Sequence, residues 1–533
     1  MTFKRLILIL STVVAIFLAG VSLFSSWQEP QFQSRLELFQ TDIVLQAATW
    51  EPQDDKDNKY ASARDAILGT KPLESATKQY EEAQKSAKAA LEKAENSLDK
   101  LRQPPALRLP KPQIQTSSLG QLTSQPSTEA EQKLLLKSLA EQRKVLAEID
   151  LRLGILQAQQ EKTQSALKTW DEVKQKAKSQ PELTETSEVL AGLWNNSPRL
   201  LPDAPELIKA NLNGWFRFTA LSRLYTLQQR DDAIASLKAS QQAIAEQALL
   251  KLTIVGLLPN LAALLGIGLL LILIAQRVWK GKESILAQNG ELTWLTPWDG
   301  ETILQVFVIG FFLMGQLLIP VVFRLMFSIL PIPRPTGGNI RLQALYVLVS
   351  YLLVAAGSVG VLYLSIKPFL PLPDGWFRFR LGGKWFLWGF GGYCVALPIV
   401  LLVSVINQQI WKGQGGSNPL LQLALEGQDS VALGIFFVTA AIAAPLFEEF
   451  LFRGFLLPSL TRYMPVWGSI LLSAFLFAAA HLSLSEILPL FSLGIVLGVV
   501  YTRSRNLLAS MLLHSLWNSG TLLTLFTLGS SNN

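Results

Sequence analysis

Cysteine and histidine are nearly absent from this chain, which has one cysteine, Cys394, and two histidines, His481 and His514, in 533 residues. A single cysteine excludes an internal disulfide and a cysteine-rich metal site, and it says nothing about redox compartment. Charge is scarce too: 16% of residues are charged, against roughly 25% in soluble proteins. There is no concentrated basic patch with interleaved aromatics, so nucleic acid is excluded as a partner. The net charge of +7 is ordinary for a membrane protein whose cytoplasmic loops collect Lys and Arg.

The charge that exists is unevenly placed. Residues 51–245 are rich in Lys, Glu, Gln and Ala, whereas residues 252–528 are a succession of apolar runs. The pattern predicts an all-α protein: a polytopic membrane helix bundle joined to a soluble α-helical N-terminal module. At the start, Lys4-Arg5 precede an uncharged stretch from Leu6 to Phe24 that is long enough to span a bilayer. The Ala-Gly-Val-Ser sequence at Ala19 is a weak cleavage site, so residues 1–24 read as a retained anchor in preference to a cleaved signal.

Residues 25–250 are expected to form the helical module. Tyr80, Ala83, Ala87, Ala94, Leu98 and Leu101 follow near-heptad spacing, and Leu135, Leu139, Leu146, Ile149, Leu153 and Leu156 resume a helical pattern. Between them Pro104, Pro105, Pro110, Pro112 and Pro126 cannot continue a helix, which predicts an antiparallel hairpin around an extended connector. Further on, Leu153-Gly154, Ala166 and Trp170 fall at the small and large packing positions of a tetratricopeptide-like helix pair. A poorer copy runs through Trp215, Ala220, Tyr225, Ala233 and Leu237, one residue short between the tyrosine and the next alanine. An ordinary helical bundle accounts for these positions equally well. The module holds no catalytic constellation and reads as a surface for protein partners.

Apolar runs at 252–276, 302–327, 342–364, 385–409, 430–452, 466–482, 486–502 and 507–528 bring the expected spans to about eight or nine, counting the first. With Lys4-Arg5 inside, the inner loops hold Arg277, Lys280, Lys282, Lys367, Arg378, Arg380, Lys384, Arg462, Arg503 and Arg505. The outer loops hold mainly Arg334, Arg341 and Lys412. This bias places residues 25–250 on the extracytoplasmic side of a multi-pass protein.

Ionisable side chains at mid-membrane cost ~2.5 kcal/mol or more, so they rarely persist there without a task. Glu448 and Glu449 lie among Phe447, Phe450, Leu451 and Phe452. Glu449 and Arg453 are i,i+4 and share a helix face, so an ion pair neutralises both. Glu448 is rotated about 100° away and has no local partner, which suits a general base or acid. His481 closes an Ala-rich helix that another helix can approach closely. His514 and Asn518 are again i,i+4, and both point to one place.

Glu448-Glu449-x-x-x-Arg453, Phe477-x-x-x-His481 and His514-x-x-x-Asn518 occur in the order and approximate spacing of the motifs of the CAAX-type prenyl-endopeptidase and bacteriocin-processing (CPBP, or ABI) intramembrane proteases. The resemblance covers about 430–528. It implies that Glu448 activates a water with help from His481, that His514 and Asn518 stabilise the oxyanion, and that Glu449 and Arg453 are a supporting ion pair. It leaves the cofactor open between a metal-free glutamate mechanism and zinc held by Glu448, His481 and His514, without a His-Glu-x-x-His helix to argue for the metal. The division that follows is an anchor or signal at 1–24, the module at 25–250, accessory membrane helices at 251–425 and a protease core at 426–533. The implied partner is a membrane-associated protein or peptide substrate in the lipid bilayer. Two other classes use the same residues: a catalytically idle scaffold, and a proton or ion transporter, for which no inverted copy of the motifs is found.

One geometrical tension accompanies these expectations. The spans set Glu448 toward the inner end of its helix and His481 toward the outer end of the next, unless Pro445 or Pro458 breaks or tilts the chain.

Overall fold

The structure is a computed structural model that describes residues 2–27, 32–51, 64–65, 67–102, 128–176, 180–330, 335, 339–411, 413–417, 423 and 429–529. The Pro-rich connector from Pro104 to Pro126, the Leu101 side chain, Arg334 and Lys412 lie outside the described residues. Every extended element described is helical, and no β-strand occurs among the described residues. The chain divides into two compact units: Met1–Leu36 with Thr253–Ser530, and a second whose body is Glu37–Leu252.

In the second unit α2 (Phe32–Ala48) precedes α3 (Pro72–Arg102) and α4 (Thr128–Gln159). The side-chain pairs between α3 and α4 fix their direction. Gln160 meets Leu73 and Thr77, Gln84 meets Asp150, and Arg143 meets Glu95, so α3 and α4 run antiparallel. Tyr80, Ala87 and Leu98 of the heptad face are buried with Leu139, Leu146, Ile149, Leu153 and Leu156 of the facing helix. Four shorter helices follow: α5 (Thr163–Lys176), α6 (Pro181–Trp194), α7 (Ala204–Asn211) and α8 (Gly214–Leu227). Gly154 earns its place by contact: a Cβ there would lie 2.2 Å from the Trp170 indole, which donates to the Leu151 carbonyl at 3.1 Å. The small and large positions read from the sequence are therefore one packing contact.

Asp150 is buried in this unit and accepts a 2.6 Å hydrogen bond from Gln84. Burial, only partly offset by that bond and by Lys88, pushes its carboxyl up from 3.8 to about 6. The folded chain thus holds the proton more tightly than the unfolded chain, and stability falls as pH rises from about 4 to about 6. Asp150→Asn is expected to stabilise this unit at pH 7 by about 2–3 kcal/mol at most, since each pKa unit is worth about 1.4 kcal/mol. Slower hydrogen exchange of the α3 and α4 amides at pH 7, and little change at pH 4, would be the signature.

In the first unit α1 (Phe3–Ser26) is joined by the long α9 (Asp231–Lys280), whose residues from Thr253 onward belong here. Then come α10 (Gly300–Ile329), α11 (Ile340–Ile366), α12 (Trp385–Trp411), α13 (Ser430–Leu460), α14 (Val466–Ala479), α15 (Leu484–Ser504) and α16 (Leu507–Gly529). By length and composition seven of the described helices can cross a membrane: α1, α9, α10, α11, α12, α13 and α15. The two other expected spans also form helices. However, α14 has only 14 residues, about 21 Å of rise, and α16 is diluted by the polar residues it carries. α1 is tied at both ends, with Arg5 on Glu301 and the Leu484 N–H donating to Ser26 Oγ at 3.2 Å.

Prolines organise the packing of these helices. A helical proline cannot donate to the carbonyl one turn back, and in lipid that carbonyl needs another partner. Pro445, counted four or five residues back, fails to serve Ala441 or Ala440. Ser515 Oγ donates to Ala441 and Asn518 Nδ2 donates to Ala440 at 2.7 Å, both from α16. Pro489 frees the Ser485 carbonyl, which accepts Asn407 Nδ2 of α12 at 2.7 Å. Pro398 frees the Cys394 carbonyl, and Gly266 of α9 comes so close that a Cβ would stand 1.7 Å from that oxygen. Each break in one helix becomes the docking point of another.

Candidate active site

α13 is not a uniform α-helix. Widened π-turns at Val438–Ala443 and Phe450–Leu456 flank the short α segment Ala444–Glu449, which ends on the two acids. π-turns of this kind recur at functional sites because they rotate a few side chains out of register. α14 stops at Ala479, and His481 sits in the turn beyond it, just before Leu482 at φ 56°. These two features resolve the tension noted above: Glu448 and His481 line the same cavity.

Glu449 and Arg453 are fully buried and paired at 2.7 Å, as their spacing predicts. Arg453 also donates to the Gly494 carbonyl at 3.2 Å and stands 4.5 Å from the centre of the Phe477 ring. The same Glu449 oxygen accepts His514 Nδ1 at 3.0 Å. Phe477 is a hub, since both imidazoles meet its ring edge-to-face, His481 at 5.1 Å and His514 at 5.6 Å.

Hydrogen-bond partners set the tautomers. His481 Nδ1 faces the Phe477 carbonyl at 2.9 Å; a carbonyl only accepts, so Nδ1 carries the proton and the neutral ring keeps a lone pair on Nε2. His514 Nδ1 likewise faces a carboxylate, and its Nε2 lies 4.0 Å from Glu448 Oε2. Glu448 Oε1 accepts the Tyr351 hydroxyl at 3.1 Å, while its Oε2 is buried without a hydrogen-bond partner among the described residues. Glu449 Oε2 is unpartnered as well, but only Glu448 of the two acids lines the cavity.

That cavity measures about 570 Å³ and is lined by Glu448, His481, His514 and Asn518. All four candidate catalytic residues thus share one hollow, and the ion pair stands behind it. Asn518 spends one amide proton on Ala440 and keeps a second. Tyr351 of α11 and Asn407 of α12 also line the cavity, and the sequence reading missed both. No local signal marked them: Tyr351 follows Ser350 in a helix with several other polar residues, and Asn407 opens an Asn-Gln-Gln run near the end of its helix.

Residues 430–520 match the family model of the type II CAAX prenyl endopeptidases, Rce1-like. No curated protein and no solved structure matches the chain. The CAAX endopeptidase match runs from the start of α13 to within α16, so it includes Glu448, Glu449, Arg453, His481, His514 and Asn518. Together with the seven apolar helices, the match supports an integral membrane protein whose residues 430–520 are similar to intramembrane endopeptidases. Tyr351 and Asn407 stand outside the matched segment, on helices that precede it.

Zinc, the alternative raised by the family resemblance, does not fit this arrangement. Among the described residues no three His, Cys, Asp or Glu side chains are grouped so as to hold a metal ion, and this applies to Glu448, His481 and His514. No step below is routed through a metal.

Proposed function

We propose that the chain is a glutamate-dependent endopeptidase that hydrolyses a peptide bond of a membrane-associated substrate within the cavity of α11 to α16. The observation that carries this reading is Glu448 Oε2, a buried carboxylate oxygen without a hydrogen-bond partner among the described residues, 4.0 Å from His514 Nε2 in a cavity that also holds His481 and Asn518. A structural role explains Glu449, which Arg453 and His514 engage, but it leaves the free oxygen of Glu448 in the cavity without a purpose.

In this mechanism a water rests against Glu448 Oε2 and the lone pair of His481 Nε2. Glu448 takes a proton as the water oxygen attacks the substrate carbonyl. The second Asn518 N–H faces the oxyanion that forms, with the His514 ring beside it in the cavity wall. When the carbon–nitrogen bond breaks, the proton held by Glu448 passes to the leaving amine. The Tyr351 hydroxyl fixes the carboxylate so that Oε2, not Oε1, meets the water. Glu449, itself held by Arg453, fixes the orientation of the His514 ring through its Nδ1.

The substrate is a lipidated protein, a leader peptide or a membrane-protein fragment, and the Glu37–Leu252 unit serves as its recruiting surface. The arginine and lysine bias of the loops supports an extracytoplasmic position for that unit. Quantitative proteomics of membrane fractions from strains carrying the wild type, Glu448→Ala and His481→Ala tests the function. A membrane peptide that accumulates in both variants is the expected result. Equal profiles in all strains would remove the endopeptidase reading. Cysteine labelling of residues 25–250 in intact cells tests the orientation; labelling only after lysis would reverse it.

A further inference from the structure

Asn407 is a polar residue in an apolar helix, and its surroundings dictate how it points. Its neighbours Val405 and Ile406 are 57% and 51% exposed, whereas Asn407 is 6% exposed. The side chain therefore turns inward, where it forms part of the cavity wall with Ser485 and Glu448. Its orientation is not arbitrary. The Ser485 carbonyl, freed by Pro489, can only accept, so the nitrogen of the Asn407 amide must face it. The amide oxygen is then directed elsewhere, and it is buried without a hydrogen-bond partner among the described residues. An unmet buried acceptor costs about 1–3 kcal/mol, which an apolar residue at this position would avoid.

A peptide entering a cavity at membrane depth must be extended around its scissile bond, and its main-chain N–H groups lose water as it enters. They need acceptors. A prenyl or acyl chain has no N–H to offer. We propose that the Asn407 amide oxygen accepts one main-chain N–H of the bound peptide, which makes Asn407 a subsite for the substrate backbone and not for its lipid. This rests on the endopeptidase reading and adds to it a substrate contact supplied from outside the matched segment.

The test uses the full-length protein in liposomes with a fluorogenic farnesylated CAAX-type peptide. Each main-chain N–H around the cleaved bond is replaced in turn by an ester oxygen. For the wild type, one ester position is expected to raise KM about five- to tenfold with kcat little changed. In Asn407→Leu the parent peptide should show a similar rise in KM, and the same ester should then have no further effect. Asn407→Asp, protonated so that its O–H replaces the donor to the Ser485 carbonyl, keeps an acceptor at the same place and should retain the ester sensitivity, so that loss through misfolding is told apart from loss of the contact. Wild-type cleavage with ester effects that are identical in Asn407→Leu would overturn the inference and leave the endopeptidase reading standing. Such a result would mean that the oxygen serves resident water only. No cleavage by the wild type, either of this peptide or of the membrane peptide that accumulates in the Glu448→Ala strain, would overturn both.

Discussion

Glu448→Gln is expected to lower peptide-bond hydrolysis at least about a thousandfold while changing the stability of the membrane unit by no more than about 1 kcal/mol. The two halves of this expectation have different causes. A positioned general base contributes roughly 10²–10⁴ in rate, and the amide cannot take a proton from water. The fold, by contrast, makes little use of the carboxylate charge. Tyr351 donates to Oε1, and a glutamine oxygen accepts that bond equally well, while Oε2 has no protein partner to lose. Initial rates and thermal unfolding measured on the same liposome-reconstituted preparations check both halves. A variant that loses activity and stability together would assign Glu448 to the scaffold.

Arg453→Met should do the opposite, destabilising the unit by about 3–5 kcal/mol and abolishing activity as a consequence. Removing one partner of a buried ion pair leaves the other charge uncompensated. Here it strands Glu449, which is fully buried, and it also removes the donor to the Gly494 carbonyl. His514 would keep its hydrogen bond to a carboxylate that no longer has a cation beside it. Pairing the change with Glu449→Leu removes the stranded charge, so the double variant should recover much of the lost stability. It should not recover activity, because His514 Nδ1 then has nothing to donate to. Thermal unfolding of the single and double variants, set beside their hydrolysis rates, separates the ion pair's part in folding from its part in orienting the imidazole.

How much of this was legible in the residues depends on the range of the interaction. The Glu449–Arg453 pair is an i,i+4 relation, fixed by helical geometry and readable directly. The helical hairpin was readable too, because the apolar periodicity of its arms is interrupted by prolines. Tyr351 was not, because its meeting with Glu448 joins residues 97 apart in the chain. The sequence pattern counts eight or nine apolar spans, and seven of the described helices are long and apolar enough to cross a membrane; α14 is shorter and α16 carries the polar residues of the site. Pro445 and Pro458 were read as places where the chain breaks or tilts, and Pro489 was not read. The role of Pro445 and Pro489 in freeing carbonyls for Ser515, Asn518 and Asn407 needs the neighbouring helix to be seen.

The central claim is that the cavity around Glu448 holds water at membrane depth, and thiol chemistry tests it directly. In a Cys394→Ala background, cysteine is placed either at Glu448 in the cavity or at Leu446, which is 50% exposed on the outer face of the same helix. Charged thiosulfonate reagents react with the thiolate, which forms only where water reaches the sulfur. Rapid labelling at position 448 and none at 446 is the predicted result; no labelling at 448, or faster labelling at 446, would contradict a hydrated catalytic cavity.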